Sequence, residues 1–497
     1  QAALDIAKRG VQNCVKHGPL WFSLVRYTDK VHGAKAVSEC VAAALQKVCY
    51  ELHWKFHFEA AASFSREGNI EASRQSIGAA ALKCPKHLRW KVWLLASRSE
   101  LWAGATDASR KLLARARLDA PARMQAYVCI EHARTEEYVE SLDEARDALM
   151  AALSCEGHGW KVYLEHIFLE VRQGCLPAAK TAALSALELH PATGRLWSAL
   201  ISLEHSGLEG IEVAMATCQK AAREVPKSGE VWCETARIFM NPLGPYFNLD
   251  RAHKCLEFAV HLTPQYGDSF LELLRLRFLL ELRARLRATP SAIGFRTGAA
   301  TTAPVGSDEQ GSGRQQYVLA ALAAQQVCES VARELKESQF SFREAQEDNE
   351  AESTVEDSGA PHVRLTGLAV LCTYADPNYG FLWFWCRQTA LSSPREVIVR
   401  MHEEVAGDLL NGGALWTYTW ALARQVFGLT VSAESAACCD GMPADSKQKW
   451  TSEKASLAVL DFAVGSIQLS KCFARGTSML DQAERQRLIF GSDILCV

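Results

Sequence analysis

The chain has 497 residues, enough for several domains, and its 48% hydrophobic and 22% charged residues match a water-soluble globular protein. No apolar run approaches the roughly 18 residues that cross a bilayer, which argues against a membrane-spanning role. The formal charge of −3 hides an asymmetry, because residues 1–100 carry 15 Lys+Arg against 8 Asp+Glu and residues 301–497 carry 16 against 25; neither end is charged enough to imply nucleic acid by itself.

Seventeen cysteines are scattered singly through helical patterns without a CxxC, so they read as small buried thiols rather than a disulfide framework. With no Asn-x-Ser/Thr sequon and no secretory apolar segment, a reducing intracellular compartment is expected, nucleus or cytoplasm, with an organelle left open. The chain starts at Gln1 inside a helical pattern, which points to a fragment or a processed product.

Residues 1–16 and 20–32 form amphipathic helices around Leu4, Ile6, Val11 and Val15, then Trp21, Leu24, Val25 and Tyr27, separated by Gly18-Pro19. A register then emerges. Trp93, Tyr127, Tyr163, Trp197 and Trp232 recur at spacings of 34, 36, 34 and 35, and prolines at 85, 121, 191, 226 and 264 follow the same beat with one absence near Gly157. Each unit opens at a turn, sets an aromatic in a first helix, passes a breaker and runs a second helix into the next turn. The second helices share EASR (71–74), DASR (107–110) and DEAR (143–146): an acidic start, a small residue for close helix approach, and an arginine. Such hairpins cannot bury their apolar faces alone and must stack.

In three units an acid follows the aromatic by seven positions, Trp93 with Glu100, Tyr163 with Glu170 and Trp197 with Glu204, while Tyr127 and Trp232 lack it. Partners one turn earlier occur in Trp90/Trp93 and Trp160/Tyr163. With the second-helix arginine, this pattern resembles the HAT (half-a-TPR) repeat, a relative of the tetratricopeptide repeat, over roughly residues 20–280. The segments PKSGEVW (226–232) and TPQYGDSF (263–270) are similar to the C-terminal repeats of Prp6-type splicing factors. The resemblance implies an all-α solenoid, a right-handed superhelix of antiparallel hairpins, and a protein-docking scaffold of the crooked-neck and Prp6 kind, with a nuclear setting and no chemistry of its own.

The expected layout is a repeat array over 1–286, a linker and acidic insertion over 287–361 with a helix at 315–335, and further hairpins with a C-terminal cap over 362–497. Residues 334–360 hold nine acids against two bases, too few apolar groups to order alone. Trp383 and Trp416 stand 33 apart, and ADPNYGFLWFWCR (375–387) repeats the proline-turn-then-Trp approach of Pro226 to Trp232, so the array is expected to resume. A loop at 433–446 and helices at 450–473 and 479–489 would close it. Trp93, Tyr127, Tyr163, Trp197, Trp232 and Trp416 are the expected repeat-packing residues.

Glycine loops of the form GxxxxGK[ST] or GxGxxG and the nucleophile motif GxSxG are absent. His53 and His57 have two-histidine metal spacing without HExxH or a third ligand, Cys84 and His87 lie at a repeat turn, and Cys438-Cys439 are adjacent in a loop; none completes a metal site. No enzyme activity and no cofactor are expected. Departures from the period mark candidate partner-binding residues instead: Tyr246 and Phe247 in the long turn 242–247, Arg275 and Arg277 on the arginine-bearing helix 270–286, and Trp383 and Trp385, since a helix cannot hide three consecutive aromatics on one stripe. The expected function is a non-enzymatic scaffold within a multiprotein assembly. The alternatives are an RNA-processing HAT factor contacting RNA directly, or a cytoskeletal, ciliary or organellar subunit.

Overall fold

The computed structural model describes residues 1–155, 159–206, 210–292, 309–336, 371–372, 374–376, 379–387, 394–410 and 414–429. The acidic stretch 340–360, the loop 433–446 and the helices expected at 450–473 and 479–489 lie outside the described residues. The chain divides into two compact units, one built on Gln1–Leu169 and the other on Glu170–Asp481.

The first unit holds α1 (Ala2–Asn13), α2 (Gly18–Lys47), α3 (His53–Arg66), α4 (Ile70–Lys83), α5 (Arg89–Trp102), α6 (Thr106–Asp119), α7 (Ala122–Tyr138), α8 (Leu142–Leu153) and most of α9 (Trp160–Arg172). The second holds α10 (Leu176–Leu189), α11 (Gly194–Ser206), α12 (Ile211–Glu224), α13 (Gly229–Phe239), α14 (Leu249–Leu262), α15 (Asp268–Ala292), α16 (Glu309–Lys336), α17 (Phe381–Cys386), α18 (Pro394–Leu410) and α19 (Ala414–Val426). The fold is an all-α solenoid of helical hairpins. Among the described residues the sole β pairing is an isolated parallel bridge between Tyr266 and Asp376. Helix α15 runs past position 286, and α16 lies across the segment 315–335.

The hairpin turns explain the period. A residue with positive φ lets the chain turn sharply at the end of a helix, and within six of the hairpins such a residue recurs as Gly33, Gly68, Gly104, Glu140, Gly174 and Gly210 with φ between 66° and 88°. Gly33 thereby breaks α2 into the two arms of a hairpin. Glu140 holds the strained conformation without being glycine. Space is open around a Cβ at Gly104, so Gly104→Ala should cost about 1 kcal/mol through backbone strain alone, whereas Glu140→Gly should stabilise by a few tenths of that or more. Urea denaturation of the two variants checks the sign; equal signs would contradict the turn assignment.

The second helices carry small residues two turns apart with no exposed surface: Ser73 and Ala80, Ser109 and Ala116, Ala145 and Ala152, Ala179 and Ala186, Ala214 and Ala221, Ala252 and Ala259. Seven residues is two helical turns, so both members face the first helix and let the backbones close. In α4 and α6 the serines also bond across the gap, Ser73 Oγ to the Ala61 carbonyl at 3.0 Å and Ser97 Oγ to Ser109 Oγ at 2.8 Å.

Neighbouring hairpins are tied by the motif charges. Arg74 donates both its Nε and Nη2 to Glu100 at 2.7 Å, and Arg110 bonds Glu136 bidentately, the Nε contact being 2.8 Å. In the second unit Lys180 lies 3.4 Å from Glu204. The acid thought missing after Tyr127 is therefore present as Glu136, and the counterpart of Trp93 is Cys129, 36 residues on and 2% exposed. Tyr127 sits half-buried two residues earlier, with Lys161 Nζ 5.8 Å above its ring.

The other aromatic markers differ in how far they are buried. Trp197 is buried and its indole N–H donates to the Pro191 carbonyl at 2.7 Å; Trp232, half-buried, does the same to Pro226 at 3.1 Å and tilts against Phe258. Trp93 is half-buried with its indole N–H on Asp119, and Tyr163 is half-buried in α9. Trp416 stacks on Trp420 with planes 4° apart.

Candidate functional site

Four segments share the spacing Pro-x-x-Gly-x-x-aromatic: Pro191 to Trp197, Pro226 to Trp232, Pro264 to Phe270 and Pro377 to Trp383. Each of the first three glycines is where the following segment approaches too closely for a side chain. A Cβ on Gly194 would overlap the Ser228 hydroxyl, one on Gly229 would overlap the Ala259 carbonyl and Thr263, and one on Gly267 would overlap the Trp383 indole. The third step crosses more than 100 residues of sequence. The segment formed by the described residues 374–376 and 379–387 thus takes, against α15, the place a next repeat would take.

Its docking is well defined. The Asp376 amide donates to the Gln265 carbonyl at 3.0 Å, and the Trp383 amide donates to Asp268 Oδ1 at 2.8 Å. Trp383 is fully buried, its indole N–H 3.4 Å from the Ala375 carbonyl and its ring 6.4 Å from Phe270. Arg387 also donates to the Ala375 carbonyl. Helix α15 then packs against α16, α17, α18 and α19.

Beneath this junction lies a buried charge network. Arg237 Nε donates to Glu272 Oε1 at 2.9 Å, its Nη1 to Glu234, and its Nη2 is 3.5 Å from Asp268. Arg275 donates from Nη1 to Glu272 Oε2 at 3.3 Å and from Nη2 to Asp408 of α18 at 2.7 Å. Tyr266 donates to Asp268, and the Arg195 guanidinium lies 5.0 Å from the Tyr266 ring centre. Glu234, Asp268 and Glu272 are each at most 2% exposed. Burial pushes Glu234 up to about 7, with Arg237 offsetting only part of that cost. Burial likewise pushes Tyr418 up to about 12 although Arg275 opposes it.

The sequence-flagged partner residues mostly converge here, but inward. Arg275 and Trp383 are buried, because α18 supplies the acid and Gly267 the cavity, and neither presents a surface to a foreign partner. Phe247 packs on the same core and its carbonyl accepts from Gln425 of α19 at 3.0 Å. Tyr246 is half-buried beside it, Arg277 is exposed on α15, and the Trp385 side chain lies outside the described residues. The other arginines of the 270–286 helix are used internally, Arg283 on Asp250 and Arg285 on Glu281 and Glu334. Sequence reasoning missed Glu234, Arg237, Asp268 and Glu272; the signal available was charge at helical spacing within otherwise apolar first helices.

His205 adds a titratable element. Its Nε2 is 3.0 Å from Asn241 Nδ2, which is donor only, so the ring nitrogen accepts and the imidazole is neutral. Burial, reinforced by Arg237, holds it down at about 4. A depressed histidine contributes stability that is complete above its ordinary 6.5 and lost as pH falls toward 4; raised Glu234 contributes stability complete below 4.5 and lost as pH rises toward 7. His205→Gln should therefore flatten the rise of stability with pH between 4.5 and 6.5, and Glu234→Gln should steepen it, each by up to about 1.4 kcal/mol per pH unit. Urea midpoints across that range check both; the same direction of change would refute the assignment.

The remaining sequence candidates for chemistry separate. His57 Nε2 is 2.9 Å from Lys83 Nζ, and burial with that ammonium holds it down at about 4. Among the described residues no group of three or more His, Cys, Asp or Glu could hold a metal. Burial pushes Cys84 up to about 11 and Cys218 to about 12, as inert thiols require. Cys438 and Cys439 lie outside the described residues. No helix of the described residues is long and apolar enough to cross a membrane.

Comparison with known proteins agrees with this architecture. The chain is 41% identical over 400 residues to a TPR-containing protein of Dictyostelium discoideum, an alignment covering 80% of this chain and 24% of that protein, so the chain spans about a quarter of its relative's length. Residues 1–402 match the family described as the PRP6, TPR-like domain. That match runs through the third and fourth Pro-x-x-Gly segments alike, and the chain belongs to the PRP6 TPR-like domain family.

Proposed function

We propose that the chain is a non-enzymatic protein-docking scaffold, a structural subunit of an RNA-processing assembly. The supporting observation is how its polar groups are spent. The recurring charges at Arg74–Glu100, Arg98–Glu131, Arg110–Glu136 and Arg237–Glu272 join one hairpin to the next, which builds a stiff array whose outer helix faces remain for other proteins. Membership of the PRP6 TPR-like family supports the RNA-processing setting. That setting supports a nuclear location.

The test is to purify the tagged full chain with its partners, treat with nuclease and identify what stays bound by mass spectrometry. Stoichiometric protein subunits that survive nuclease are expected, splicing components among them. Partners that all disappear with the RNA would favour direct RNA contact and overturn the scaffold reading.

A further inference from the structure

We propose that the turn edge of the first unit at Leu82–Arg89, with Arg117 and Leu118 one repeat on, docks an acidic peptide segment that carries apolar side chains. Residues 72–99 contain six Lys+Arg and no acid. Arg74 and Arg98 are engaged by Glu100 and Glu131. Lys83, Lys86 and Arg89 make no ion pair among the described residues, and Arg89 Nε is enclosed without a hydrogen-bond partner. Lys83 Nζ lies 2.9 Å from His57 Nε2, and burial together with that ammonium holds the imidazole down at about 4. The short helical turn Lys86–Leu88 packs against α6, whose last turn carries Arg117 and Leu118. The acid there, Asp119, is already held by the Trp93 indole N–H at 2.8 Å and by Arg115.

Two large apolar side chains stand among these cations, Leu82 87% exposed and Leu118 78% exposed, 36 residues and therefore one repeat apart. That mixture decides the partner. A nucleic-acid backbone would match the charge but offers nothing to leucine, and base stacking needs exposed aromatic faces. Trp54 and Trp90 are only 6% and 8% exposed, and Trp93 is half-buried with its indole N–H taken by Asp119, so no indole along this edge stands as free as the two leucines. A peptide alternating carboxylates with apolar groups matches both features, with charge guiding approach and the leucines supplying buried area.

The inference rests on the docking-scaffold reading, and the two fail separately: nuclease-resistant subunits test the scaffold, whereas variants of this edge test the surface. The experiment measures fluorescence anisotropy of a labelled (Glu-Glu-Leu)4 peptide and a labelled 20-nucleotide oligouridine with the full chain at physiological salt. The peptide should bind the more tightly. Lys86→Glu with Arg89→Glu should weaken it by about tenfold or more, and Leu82→Ser with Leu118→Ser by about fivefold, at unchanged melting temperature. The exposed Lys86→Glu alone, expected to weaken binding about threefold, stands in if the Arg89 change lowers the melt. Peptide affinity unmoved by the charge reversal or by the leucine change, or oligouridine binding tighter than the peptide, would overturn the proposal.

Discussion

Replacing Arg237 with alanine is expected to destabilise the protein by about 3–5 kcal/mol, because it leaves buried carboxylates without their cation. Glu272 loses a 2.9 Å hydrogen bond, Glu234 loses its donor, and Asp268 loses a cation 3.5 Å away. None can reach bulk water, since all three are at most 2% exposed. The favourable term is Coulombic and the cost is desolvation, so the pair matters chiefly when one side is removed. For that reason Glu234→Gln should be stabilising in the Arg237→Ala background, with a coupling above about 1 kcal/mol. Urea denaturation of the two single variants and the double variant measures this, and additive losses would show that the network does not act as a unit.

Trp383→Ala should cost a similar amount, about 3–5 kcal/mol, through lost burial and the cavity left between Phe270 and Gly267. The side chain has no exposed surface, and its neighbours on α15 are fixed by the charge network beneath. Trp383→Phe fills most of the volume and should cost about half as much or less. A loss below about 1 kcal/mol in the alanine variant would mean that the segment contributes little to holding the second unit together.

The repeat architecture was legible because it is periodic. Buried positions in a stacked array must recur, so Trp197, Trp232 and the Ser73, Ser109 and Ala145 positions mark the register from spacing alone. Tyr127 misled because a half-buried aromatic two residues away outshone Cys129, the actual counterpart of Trp93, and its partner acid Glu136 then looked absent. The junction was partly legible. Phe247, Arg275 and Trp383 were singled out as residues that bind something, but composition cannot distinguish a foreign surface from a distant part of the same chain. The contacts that settle it, Arg275 with Asp408 and Trp383 with Asp268, join residues 133 and 115 positions apart. No local pattern reports such a pairing.

The central claim is that the array, interrupted after α15, is resumed by residues 379–387 seated where a next repeat would stack. Hydrogen exchange of the full chain carrying Gly267→Val tests it most directly, since the added side chain would occupy the space of the Trp383 indole. The amides of α17 should exchange at least tenfold faster than in the unmodified protein, led by Trp383, while α11 and α12 keep their protection. Unchanged protection of α17 in that variant would contradict the claim.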